Sequence, residues 1–174
     1  TNDCSDEFSQ DSWRVAANAT TGAFSHQLAY SDTQIDRESF SEGVSSFATE
    51  GALERLSYVG SWQGGNSLRL IYGVDHETES IDDGSTDRDR DQLGFFAEYQ
   101  GRIMELLSLS AGVRHDDNDD FGQFTSYRLS GAYVTTVAGG DFKLKASYGT
   151  GFRAPSLFEI CLLYTSPSPR DTLL

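Results

Sequence analysis

Carboxylates are the side chains dense enough in this sequence to do chemistry. Residues 77–91, ETESIDDGSTDRDRD, hold Glu77, Glu79, Asp82, Asp83, Asp87, Asp89 and Asp91 against Arg88 and Arg90. Residues 115–120, HDDNDD, add Asp116, Asp117, Asp119 and Asp120. A hard cation such as calcium takes several carboxylate and carbonyl oxygens at once. Asp82, Asp83, Asp116, Asp117, Asp119 and Asp120 are therefore the candidate calcium ligands, and calcium is the one cofactor in view. The spacing lacks the Gly and closing Glu of an EF-hand loop, and a solvated, self-repelling surface loop is the competing reading. His26, His76 and His115 are scattered and form no HExxH pair. There is no GxSxG, Walker loop or dinucleotide fingerprint. No catalytic residue can be named, and an enzyme is not expected. Cys4 and Cys161 stand near opposite ends, neither in a CxxC motif, and Asn18-Ala19-Thr20 matches a glycosylation sequon.

The elements that would carry these acids have a period of two. Leu107, Leu109, Ala111 and Val113 alternate with Ser108, Ser110 and Gly112. Phe142, Leu144, Ala146 and Tyr148 alternate with Lys143, Lys145 and Ser147, and Leu68, Leu70, Tyr72 and Val74 with Arg69, Ile71 and Gly73. Leu93, Phe95, Ala97 and Tyr99 repeat the pattern. Such alternation marks half-buried strands, and the map is about 10–18, 23–37, 52–62, 66–80, 91–101, 105–116, 123–137 and 141–150. Residues 47–56 come nearest to a helical period and are read mostly as loop and strand. Most runs reach ten residues. Soluble strands are commonly about 5–6 residues long, whereas a tilted bilayer-spanning strand needs about 9–11.

Connections alternate between short (20–22, 63–66, 102–104, 138–140) and long (38–51, 81–90, 117–122). Outer-membrane barrels have that parity, with short turns on one side and long loops on the other. Trp13, Trp62, Tyr72, Tyr99, Tyr133 and Tyr148 fall near strand ends or on the apolar faces, as an aromatic girdle would. The 174-residue chain carries a formal net charge of −14 with 37% hydrophobic residues. That charge argues against a nucleic-acid partner, which requires a basic footprint. The fold expected is all-β: part of an antiparallel up-and-down transmembrane β-barrel.

Residues 161–174, CLLYTSPSPRDTLL, break the alternation. Cys161 to Asp171 reads as translated transposon-based sequencing adapter, with a genuine Ser/Pro linker as the alternative. Residues 1–160 are taken as the barrel portion and 161–174 as a non-native tail, which would leave the native sequence incomplete at both ends.

The run Ser147-Tyr148-Gly149-Thr150-Gly151-Phe152-Arg153-Ala154-Pro155, with Leu157 beyond it, resembles the barrel motif of TonB-dependent outer-membrane receptors. Tyr72-Gly73-Val74-Asp75, Phe96-Ala97-Glu98-Tyr99 and Gly112-Val113-Arg114 followed by Asp116-Asp117-Asn118 and Phe121-Gly122 fall in family-like order. The cobalamin receptors of the family are similar in that order. Likeness is good over 66–159 and rests on pattern alone over 10–65.

In the motif, Tyr148 is expected to close a strand at the interface. Gly149 and Gly151 would permit bends there, and Pro155, having no N–H, would end strand pairing. Large transporters of this type have 22 strands around a plugged lumen, so about eight strands would be a third of a barrel. The resemblance implies a bacterial outer-membrane location, a lipid surround, coupling to the TonB complex through a plug, and active uptake of a small metal-chelate ligand: cobalamin first, an iron–siderophore complex second. A passive porin-type barrel shares the alternation but gives no reason for the motif. A soluble calcium-binding β module would call for regular Asp/Gly repeats, which are absent.

Overall fold

A computed structural model describes residues 3–104, 106–137 and 139–160; the proposed tail at 161–174 lies outside the described residues. Eight strands form one antiparallel sheet in sequence order. They are β1 (Cys4–Thr21), β2 (Phe24–Ser41), β3 (Val44–Gly64), β4 (Leu68–Asp82), β5 (Asp87–Ile103), β6 (Leu107–Asn118), β7 (Gly122–Val137) and β8 (Gly140–Gly149). The sheet is open, since among the described residues β1 and β8 each pair on one side only.

Register turns the alternation into two faces. Leu28 lies opposite Tyr58, Tyr58 opposite Val74, Val74 opposite Phe95, and Val113 pairs with both Ala97 and Tyr127. Directly opposed residues of an antiparallel pair share a face, so one continuous apolar face crosses the whole sheet. Its large side chains stay exposed: Leu129 is 55% and Leu144 60% accessible. The face has a sharp upper border. Trp13, Tyr30, Leu56, Val74, Leu93 and Val113 give way, at the next outward position, to Asp11, Asp32, Glu54, His76, Asp91 and His115. Along β5 the apolar stretch Leu93–Ile103 is about 34 Å long, and a tilt of about 40° leaves it about 26 Å tall, close to the apolar band of membrane barrels.

The other face is polar and concave. A cavity of about 710 Å³ lies against it, lined by Gln63, Arg69, Gln100, Ser110, Ser130 and Lys145 among others.

The expected strand bounds and loop lengths need correction. β1 starts at Cys4, β3 already at Val44, and β5 already at Asp87. The expected long connection at 38–51 is a two-residue turn, Glu42-Gly43, with φ of 54° and 77°. Positive φ at both central residues is the type I′ signature that matches strand twist. A small irregularity follows at Ser39/Phe40, where the Ser46 hydroxyl donates to the Ser39 carbonyl at 2.9 Å. The expected 81–90 and 117–122 loops likewise shrink to turns at 83–86 and 119–121. Ladder hydrogen bonds are made by the backbone whatever the side chains are, so polar rungs extend the hairpins past the apolar band instead of dissolving into loops. The parity survives as hairpin height. The turns at 42–43, 83–86 and 119–121 stand clear of the band on one side, while that at 22–23 follows it at once on the other.

Candidate functional site on the inner wall

Two sequence motifs meet across a strand. Asp75 of β4 pairs with Gly94 of β5, which pairs with Asp116 of β6. Arg114 reaches over β5: its Nη1 and Nη2 donate to Asp75 Oδ2 and Oδ1 at 2.8 and 3.0 Å, and its Nε donates to Asp116 Oδ1 at 2.8 Å. Arg55 of β3 adds a third donor, Nη2 to Asp75 Oδ1, at 3.2 Å. Asp75 is 3% exposed and lies between two guanidinium groups. A fork of parallel N–H bonds to a carboxylate fixes orientation as well as energy. Gly94 makes the crossing possible, because a Cβ there would sit 2.1 Å from Arg114 Nη2. The network ties three strands into one register above the band.

The motif at 147–159 leaves the sheet and crosses the inner wall. Ser147 lines the large cavity and Tyr148 points outward, its ring 6.4 Å from that of Tyr127. β8 ends at Gly149, where the Thr150 N–H still donates to the Tyr127 carbonyl at 2.9 Å. The Tyr127 N–H in turn donates to Thr150 Oγ1 at 3.1 Å. Thr150 thus closes the ladder, and the chain departs five residues before Pro155, so proline is not what ends the pairing. Gly151 has open space around it and no positive φ, so it meets no steric demand for glycine. Phe152 packs on Phe124 with ring centroids 4.7 Å apart.

Pro155 has a different part. Its carbonyl accepts from Arg90 Nη1 at 2.7 Å. Arg90, 8% exposed, also donates through Nη2 to Glu79 Oε2, and Glu79 Oε1 accepts the Leu157 N–H at 2.9 Å. Leu157 is fully buried. Ser156 then starts a helical turn: the Glu159 N–H donates to Ser156 Oγ at 3.2 Å and the Ser156 N–H to Glu159 Oε2 at 2.8 Å. This is a reciprocal capping box, and its S-x-x-E pattern stood unread in the sequence. The Ser156 N–H, with help from the Arg153 charge, holds the Glu159 carboxyl below its usual range. Arg153 itself is 82% exposed and pairs with Glu159 at 3.3 Å. Residues 150–160 therefore form a strap pinned to β4 and β5.

The six candidate calcium ligands are each engaged by donors. Asp82 Oδ1 accepts the Gly84 N–H, and Asp83 Oδ1 takes the N–H groups of Ser85 and Thr86 and the Ser85 hydroxyl. That hydroxyl and those two amides hold the Asp83 carboxyl below its ordinary value. Asp116 is taken by Arg114, Asp117 by Gln123, Asp119 by the Asp91 N–H and Asp120 by Arg88. Among the described residues no three His, Cys, Asp or Glu side chains converge as a cation site. His26, His76 and His115 all lie on the outer face, His26 Nδ1 being 2.7 Å from the Tyr58 hydroxyl.

Comparison with known proteins agrees with this geometry. The crystal structure of the siderophore receptor PirA from Pseudomonas aeruginosa superposes with a TM-score of 0.77 at 19% identity, over 89% of this chain and 28% of that receptor. A structure of the RagAB peptide importer matches at 0.55 and 12%, over 83% and 23%. These share the fold. In sequence, the vitamin B12 transporter BtuB of Vibrio cholerae is 35% identical over 89 residues, half of this chain and 14% of the transporter. The one from Photobacterium profundum is 24% identical over 152 residues, 85% of this chain and 25% of the transporter. The chain thus spans at most about a quarter of these curated relatives' length. The family described as TonB dependent receptor-like, beta-barrel, matches residues 2–164, and with its up-and-down sheet, two-faced wall and inward strap, the chain belongs to that family.

Proposed function

We propose that these strands are part of the wall of an outer-membrane receptor that takes up a large, scarce ligand with energy delivered through TonB. The observation that supports this best is the division of the sheet. A level apolar band faces one way, and a charged, hydrogen-bonded wall crossed by a strap faces the other. Lipid would cover the band, and a plug would fill the concave face and receive TonB. Lipid cannot satisfy free backbone groups, so further strands would pair with β1 and β8 to close the barrel. No bond in the ligand is broken, and the strands serve transport, not catalysis. The vitamin B12 transporters supply the first candidate ligand and the siderophore receptor the second.

The test is uptake in cells lacking their own receptors for both ligands and carrying the full gene that contains these strands. Radiolabelled cyanocobalamin and a ferric siderophore are offered with and without TonB. The expected result is accumulation of one ligand that stops when TonB is deleted. Accumulation of either at the same rate without TonB would contradict active transport and support a passive pore.

A further inference from the structure

Above the apolar band, the inner wall holds a cleft of about 250 Å³. Its apolar walls are Phe8, Ile35, Leu53, Ile81 and Phe158. Two polar groups on it lack hydrogen-bond partners among the described residues. Thr49 is 5% exposed, and its Oγ1 has no hydrogen-bond partner among the described residues. Native structures rarely leave a buried hydroxyl unsatisfied, because the desolvation is then uncompensated. Directly opposite it in the ladder stands Arg37. The Arg37 guanidinium lies 4.9 Å from the Phe158 ring centroid and 5.7 Å from that of Phe8. Stacking uses the faces of the guanidinium plane and leaves its N–H edge free to donate. Among the described residues Arg37 enters no ion pair, in a chain whose net charge is −14.

Two acidic residues border the same cleft, but only Glu79 turns its side chain to it. Glu79 has both oxygens engaged, Oε2 by Arg90 and Oε1 by the Leu157 N–H. Glu50 pairs with Asp36 and Asp82, and its side chain therefore belongs to the opposite face. The mouth thus carries the exposed Arg37 cation, which pairs with no acid among the described residues, beside the buried, unpaired Thr49 hydroxyl.

We propose that this cleft is a binding subsite for a small anionic group carried on an apolar or aromatic body. The anion takes the N–H edge of Arg37 and the Thr49 hydroxyl, and the body lies against Phe8, Ile35 and Phe158. The volume is below that of a pocket enclosing a whole ligand, about 300 to 1,000 Å³, so the cleft reads one ring-sized part. This rests on the reading of the inner wall as a ligand's path, and names the chemistry the wall would recognise.

The experiment uses the full receptor containing these strands, purified folded in detergent. Benzoate, benzamide and inorganic phosphate are titrated as probes by saturation-transfer NMR. Benzoate is expected to bind about tenfold or more tightly than benzamide, which lacks the charge, and than phosphate, which lacks the ring. Arg37→Gln should weaken benzoate about tenfold or more. Thr49→Val keeps shape and removes the hydroxyl; it should weaken benzoate about threefold with unchanged heat-modifiable migration on gels. Equal binding of benzoate and benzamide, or benzoate binding indifferent to both substitutions, would overturn the assignment. The titration needs no TonB. Lost uptake with intact benzoate binding would defeat only the transport reading; intact uptake without benzoate binding would defeat only the subsite.

Discussion

Replacing Arg90 with Gln should release the strap while sparing the sheet. Arg90 is 8% exposed and bridges Glu79 and the Pro155 carbonyl, with its guanidinium carbon 5.8 Å from the Phe121 ring centroid. Glutamine removes the charge and leaves the Glu79 carboxylate, 21% exposed, without its cation. Breaking one side of a buried ion pair costs about 3 to 5 kcal/mol. Glu79 keeps some solvent and the Leu157 N–H, so the lower end applies. About 3 kcal/mol is roughly a hundredfold in the opening equilibrium. The Leu157 amide, donated to Glu79 Oε1 at 2.9 Å, reports that opening by hydrogen exchange. In the full receptor, peptides covering 150–160 should exchange roughly a hundredfold faster in Arg90→Gln, while β6 amides inside the apolar band keep their protection. Unchanged exchange at Leu157 would refute the latch. Equal loss in β5 and β6 would show that Arg90 props the sheet and not the strap.

Other consequences follow from the same geometry. Gly94→Ala forces Arg114 away from Asp75, since its Cβ would lie 2.1 Å from Nη2; a loss of about 1 to 3 kcal/mol in denaturant unfolding is expected, the usual cost of overpacking. Ala111→Arg puts a charge in the middle of the outer band and should cost about 2 to 4 kcal/mol in lipid, whereas Ser110→Arg, which faces the cavity, should cost far less; refolding yields into vesicles separate the two. Because the folded-state pKa of Glu159 is depressed by the Ser156 N–H and by Arg153, its capping contribution is whole above the ordinary glutamate pKa and fades as pH falls through the depressed value. An NMR titration should show the Ser156 amide shifting at acid pH in step with the Glu159 carboxyl, and Glu159→Gln should abolish that shift.

The strands were legible because a two-faced sheet leaves a simple imprint: Leu107, Leu109, Ala111 and Val113 all share one face. Their ends were not, because the backbone ladder continues through rungs such as Asp32–Glu54 whatever their side chains, and those rungs carry no hydrophobic signal. The Glu42-Gly43 turn escaped notice because glutamate rarely adopts positive φ, and dense acids around 82–91 and 115–120 suggested loops where hairpins stand. Asp75 and Arg114 were each visible in family-like motifs. Their meeting was not, being 39 residues apart and dependent on an unremarkable glycine in the strand between. The same holds for Arg90 and Pro155, 65 residues apart. In contrast, the Ser156–Glu159 cap was readable from spacing alone.

The two faces of the sheet differ most in the solvent that each would meet. Spin labels placed singly at Ser110, Ala111, Gly112 and Val113 of β6, in the full receptor reconstituted in bilayers, measure this directly through collision with oxygen and with a water-soluble nickel chelate. Labels at 111 and 113 should be accessible to oxygen and shielded from nickel, and those at 110 and 112 the reverse. Accessibility that does not alternate, or that alternates in the opposite phase, would contradict the two-faced wall.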